Sequence, residues 1–77
     1  MELKEFIVNF AEQLDDTDIS ELKPETDFKE LDEWSSLTAL SIIAMVDEEY
    51  NVTLKGEDIR TSDTIEDLFN IVKSKAE

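Results

Sequence analysis

Histidine and cysteine are both absent from this chain. Their absence removes imidazole bases, thiolate nucleophiles and the usual zinc ligands. No catalytic residue and no metal site is therefore assigned, and intrinsic catalysis is not expected. Without cysteine there is also no disulfide, so 77 residues must be held by burial alone, near the size at which burial barely offsets chain entropy. A single domain over residues 1–77 follows. The thiol-free composition agrees with a reducing compartment.

Positive charge is scarce as well. Seven Lys and Arg face 21 Asp and Glu, a formal net charge of −14. A field of that sign repels phosphate backbones and anionic membranes, so no nucleic acid and no membrane is expected as a partner, whereas basic enzyme surfaces are steered in. No run approaches membrane-spanning length, and Met1-Glu2-Leu3-Lys4-Glu5 lacks the cationic and apolar segments of a secretory signal. The cytoplasm is the expected location and a monomer the expected state. Leu, Ile, Val and Phe supply 23 residues, about 30%, above the roughly 20% typical of disordered acidic chains. A folded domain is expected.

What is present reads as helix. Leu3, Phe6, Ile7, Phe10 and Leu14 form one apolar stripe, which predicts a helix over about residues 2–14. From Asp15 to Ser35 the periodicity stops. This long segment contains Pro24, the only proline, and ten acidic residues fall between Glu12 and Glu33. Ile19, Leu22, Phe28 and Leu31 punctuate it and are expected to anchor an ordered loop on the bundle, with a helical turn near Ile19 to Leu22. A second helix is predicted over Ser36 to Tyr50, with Asn51 as a left-handed terminator and Val52 closing its end. Gly56, the only glycine, is expected to open a turn into a short helix over 57–60 that carries Ile59. Thr64-Ile65-Glu66-Asp67 resembles a capping sequence, and Ile65, Leu68, Phe69 and Val72 continue as a clean stripe. The fold class is all-α: a small antiparallel bundle of three main helices plus one short helix, with a long loop after the first.

The second helix is apolar on two sides. At about 100° per residue, Ala39, Ile42, Ile43, Val46 and Tyr50 share the face that packs inward. Leu37, Leu40 and Ala44 lie elsewhere, beside Ser41, Asp47 and Glu48. Two fates are open for that second group: burial under the long loop, or exposure as a docking surface. The helix is preceded by two serines. One serine at a helix start is ordinarily a cap. If Ser35 is the cap, Ser36 becomes the first helical residue, with its hydroxyl free to face solvent beside unpaired N–H groups and the positive dipole end, where a covalent phosphate is favoured. Thr38 is neither Glu nor Gln, so no reciprocal capping box ties the pair down.

Over essentially its full length the chain resembles acyl carrier proteins. The resemblance rests on Phe28 eight residues before Ser36, the Ser36-Leu37 step, the run Ala39-Leu40-Ser41-Ile42-Ile43-Ala44-Met45-Val46-Asp47-Glu48-Glu49-Tyr50, and the later Ile59 and Thr64-Ile65. In that family the step reads Asp-Ser-Leu; Ser35 stands here in place of the aspartate that helps present the site to the transferase. Trp34 stands where a small residue is common, and is expected to cover the upper edge of the core. The resemblance implies that Ser36 bears 4′-phosphopantetheine, whose thiol holds an acyl or related group as a thioester. It implies a phosphopantetheinyl transferase as partner, together with acyl-transferring, condensing or adenylating ligase enzymes of fatty acid, polyketide or related biosynthesis. Ser35, Leu37, Leu40, Ala44, Asp47 and Glu48 would meet their basic docking surfaces, and Ile42, Val46 and Ile59 would line a cavity for cargo.

Two other functions stay open on the residues alone. One is a carrier of single amino acids, of D-alanyl or peptidyl type; against the peptidyl type, Asp32-Glu33-Trp34-Ser35 lacks the glycines and histidine common before the serine of those domains. The other is an acidic helical adaptor that never receives a prosthetic group, its serines serving only as caps. Asp16, Asp18 and Ser20 have the spacing of the first ligands in a helix-loop-helix calcium site. The match fails at Glu21, where the turn needs glycine, and at Asp27, where a bidentate glutamate is required. Diffuse attraction of divalent cations to the loop is expected instead.

Overall fold

The computed structural model of the chain describes residues 2–76, so Met1 and Glu77 of the expected 1–77 domain lie outside it. Four helices run in order: α1 (Leu3–Ala11), α2 (Ser36–Tyr50), α3 (Gly56–Arg60) and α4 (Ile65–Ala76). Two single 3₁₀ turns, Ile19–Glu21 and Phe28–Glu30, lie in the long segment between α1 and α2. There is no strand among the described residues, in keeping with the all-α small bundle read from the sequence.

The stripes predicted for α1 and α4 supply much of the core. Phe6, Phe10, Ile65, Leu68 and Val72 are fully buried, and Leu14 and Phe69 nearly so. α1 packs on both α2 and α4, and α3 on α4. The six aromatic residues of the chain form one connected set. Phe6 meets Tyr50 at 6.0 Å and Phe69 edge-on at 5.6 Å between ring centroids. It also meets Phe10 at 6.4 Å, and Phe10 in turn contacts Phe28 and stacks parallel to Trp34. Phe28 and Trp34 close the set edge-to-face at 4.9 Å. Such pairs contribute about 0.5–1.5 kcal/mol each beyond their buried area. Trp34 covers the edge of the core as expected, partly buried.

Three expectations need correction. α1 ends at Ala11 rather than near residue 14, because Gln13 and Leu14 donate to the carbonyls of Phe10 and Ala11 in i to i+3 bonds that tighten the last turn. Leu14 is nonetheless buried, so the stripe outlasts the helix. Gly56 does not open a turn before the short helix; it is its first residue, and no positive φ or crowded Cβ demands a glycine there. Ile19 is not a core anchor, being 42% exposed, whereas Leu22 and Phe28 are buried and Leu31 partly so.

The loop is ordered by local bonds. Asp18 and Asp27 each accept a backbone N–H two residues on, which nucleates the two 3₁₀ turns. The carbonyls of Pro24 and Thr26 accept the N–H groups of Glu66 and Ile65, so the loop satisfies donors that the start of α4 would leave open. Glu33 clasps the other end: its carboxylate accepts from the Asp15 N–H at 2.7 Å and from the Thr17 hydroxyl. The Thr17 hydroxyl foremost, then the Asp16 backbone, holds the Glu33 carboxyl below its ordinary value.

Candidate functional site

The start of α2 is built as the serine pair predicts. Ser35 is the N-cap, in extended conformation, and its Oγ accepts the Thr38 N–H at 3.3 Å. Ser36 is the first helical residue and is exposed. The hydrogen bonds of this turn go to Ser35 and Thr38; among the described residues the Ser36 hydroxyl enters none of them. Thr38 ties the turn down by a route the missing capping box did not suggest, since its Oγ1 donates to the Glu33 carbonyl at 2.8 Å. Glu33 thus joins the loop clasp to the helix start, a role that its place among the loop's acids does not signal.

Along α2 two faces separate cleanly. Ile42, Met45 and Val46 are buried, with Ala39, Ile43 and Tyr50 partly so. Leu37 is 77% exposed and Leu40 61%, so the long loop does not cover them. Ala44, Ser41, Asp47 and Glu48 are exposed as well. At about 100° per residue, Ser36, Leu40, Leu37 and Ala44 occupy one arc that also holds Asp47 and Glu48. No basic residue stands in the last turn of α2. Carboxylates at a helix C-terminus oppose the macrodipole, at about 0.3–1 kcal/mol each when exposed. Asn51 then ends the helix at φ 55°, its N–H donating to the Asp47 carbonyl at 3.0 Å, and Val52 is buried behind it, both as expected.

Beside Ser36 lies an open cleft of about 450 Å³, which Ser35, Trp34 and Ala39 line with Ile59, Gly56 and Arg60 of α3 and Lys29 of the loop. Of the residues expected to line a cargo cavity, Ile59 meets this cleft, while Ile42 and Val46 lie fully buried in the core. Among the described residues no carboxylate lines it, although the chain has 21 in all. An exposed hydroxyl without internal bonds, at a helix start and beside cations, fits a covalently held phosphate in charge and access.

The sequence profile of the phosphopantetheine attachment site family matches residues 5–72, most of the chain. The chain belongs to that family. It is therefore a phosphopantetheine-carrying carrier protein, with 4′-phosphopantetheine as its covalent group. Family membership decides against an adaptor that is never modified, and the acyl carrier resemblance read from the sequence agrees with it. Carrier domains of this family are typically non-enzymatic and interact with phosphopantetheinyl transferases and biosynthetic enzymes in general. No curated protein and no solved structure matches the chain significantly. No described helix is long and apolar enough to cross a membrane, and among the described residues no three His, Cys, Asp or Glu side chains converge as a metal site would require.

Proposed function

We propose that Ser36 is the attachment residue and that the chain, as one carrier domain, presents an acyl group to cytoplasmic enzymes of fatty acid, polyketide or related biosynthesis. The observation that carries this is the division of labour at the start of α2: Ser35 caps the helix, and the Ser36 hydroxyl is left exposed and unbonded. When attached, the arm supplies the thiol that a cysteine-free chain lacks and holds cargo as a thioester.

The chain's own residues perform the rest. Ser36 Oγ would hold the arm through a phosphodiester, whose donor and leaving group the transferase reaction supplies. Leu37, Leu40 and Ala44 offer the apolar contact and Asp47 and Glu48 the charge for basic partner surfaces, through which steering raises the encounter rate at low salt. The neutral Ser35 alters what a transferase meets at the position where acyl carrier proteins present an aspartate, and so bears on which transferase is cognate.

Intact mass after co-expression with a broad-specificity phosphopantetheinyl transferase tests the assignment. The wild type gains the mass of the arm and Ser36→Ala does not, while both keep the same helical circular dichroism. A gain that survives in Ser36→Ala moves the site to another residue.

A further inference from the structure

We infer that Lys29 and Arg60 form a cationic clamp that seats the phosphodiester of the arm in the cleft beside Ser36. The inference rests on Ser36 as the attachment residue and goes beyond it by assigning a site to the first part of the group it bears. Charge distribution carries it. Two of the chain's seven cations line this one cleft, and no carboxylate among the described residues does. By contrast, a cleft of similar size on the loop is lined by Asp16, Glu21, Asp32 and Glu33. A molecule with net charge −14 repels anions over most of its surface. Here alone among its described clefts an exposed hydroxyl shares a cavity with two cations.

Lys29 is held in place rather than left to swing. Its Nζ donates to the Arg60 carbonyl at 3.1 Å and sits 5.9 Å from the Phe28 ring centroid. Its one ion pair among the described residues is with Asp63, at 3.7 Å and 82% exposed, a long and solvent-screened pair that an incoming anion displaces at small cost, and its charge also reaches the Asp67 carboxylate. The Arg60 guanidinium makes no ion pair among the described residues. A guanidinium presents a planar fork of donors that matches phosphate oxygens two at a time. The bond from Lys29 to the Arg60 carbonyl also ties the loop to the end of α3, so the loop and the helix that carry the two cations meet at this cleft. Ala39, Ile59 and Trp34 bring apolar surface to the same cleft, which strengthens charge pairing there by lowering the local dielectric.

An acyl cargo ending in its own carboxylate presents the same anionic oxygens, but only at the far end of a flexible arm. The phosphodiester is bonded directly to Ser36, which lines the cleft, so it is the anion chosen.

The test uses the full chain, converted to the holo form by a broad transferase and confirmed by intact mass; absence of that mass gain at Ser36 refutes the attachment site and is read before the clamp is measured. Phosphorus NMR then follows the phosphodiester. In wild-type holo protein its resonance is displaced and broadened relative to the same diester in the unfolded holo chain, and high salt abolishes the displacement. Arg60→Gln, which removes no bond of the fold, loses a large part of the displacement, and Lys29→Gln with Arg60→Gln loses all of it while the circular dichroism is unchanged. A resonance identical in wild type and Arg60→Gln, and insensitive to salt, overturns the clamp. The free-thiol, acetyl-loaded and malonyl-loaded forms should show the same displacement; one confined to the malonyl form assigns the cations to a cargo carboxylate and overturns the phosphodiester assignment.

Discussion

Helices α2 and α4 obey opposite rules. α4 starts with a reciprocal cap, Thr64 Oγ1 accepting the Asp67 N–H and Asp67 Oδ2 accepting the Thr64 and Asp63 N–H groups, each at 3.1 Å. It carries acids in its first turn, Lys73 and Lys75 in its last, and one buried stripe. Every choice agrees with the macrodipole and the bundle. α2 has no acid in its first turn and no base in its last, and it holds two leucines in solvent. Local rules are expected to fail where a surface is used for something other than folding. α4 serves the fold alone; α2, on the function proposed above, also faces partners.

The largest effect that separates them is truncation of an apolar side chain. Leu68→Ala on α4 removes a fully buried side chain and should cost about 2–5 kcal/mol. Leu40→Ala on α2 should stay within about 0.5 kcal/mol while lowering the transferase kcat/KM. Urea melts together with steady-state loading rates measure both, and equal stability losses would erase the distinction. Capping comes next: Thr64→Ala should lower stability by about 0.5–2 kcal/mol, read from the same melts. A smaller and opposite change is expected when the acidic end of α2 is reversed. Asp47→Lys and Glu48→Lys should each stabilise by about 0.3–1 kcal/mol through the dipole, yet slow loading and flatten its salt dependence. If loading is unaffected, these carboxylates are not a docking surface.

The finest contrast is acid sensitivity. The Thr64 N–H first, then the Asp63 N–H, holds the Asp67 carboxyl below its ordinary value of 3.8. A carboxylate with a depressed folded-state pKa contributes stability that is present above its unfolded value and is lost as pH falls below 3.8 through the lowered one. Acid also relieves self-repulsion in so negative a chain, so the contribution shows only against a variant. Asp67→Asn should therefore have a shallower fall, or a steeper rise, in melting temperature on acidification than the wild type. Parallel curves would show that the cap does not depend on ionisation.

Much of this was legible in the residues. The bounds of α2 follow from Ser35 and Asn51, whose side-chain chemistry and tolerance of a left-handed backbone act locally. The end of α1 was misplaced because Leu14 keeps helical spacing for burial while its backbone has already tightened. The turn at Phe28–Glu30 depends on Asp27 folding back on Lys29, a signal that was present but not used. Spacing could not decide whether Leu37 lies under the loop, because the loop's path is set by Leu22, Phe28 and the Glu33 clasp. Nor could it bring Lys29 to Arg60 across 31 positions. Their scarcity in an acidic chain was the one available hint.

Trp34 is the only indole in the chain. It is wedged against Phe10 and Phe28 and lines the cleft that Ser36 also lines. Nature has thereby installed an intrinsic fluorophore at the proposed loading point. Its emission should report arrival of the arm and subsequent cargo without any added dye, and a set of rings reaching Tyr50 at the far end of α2 makes the same light sensitive to unfolding.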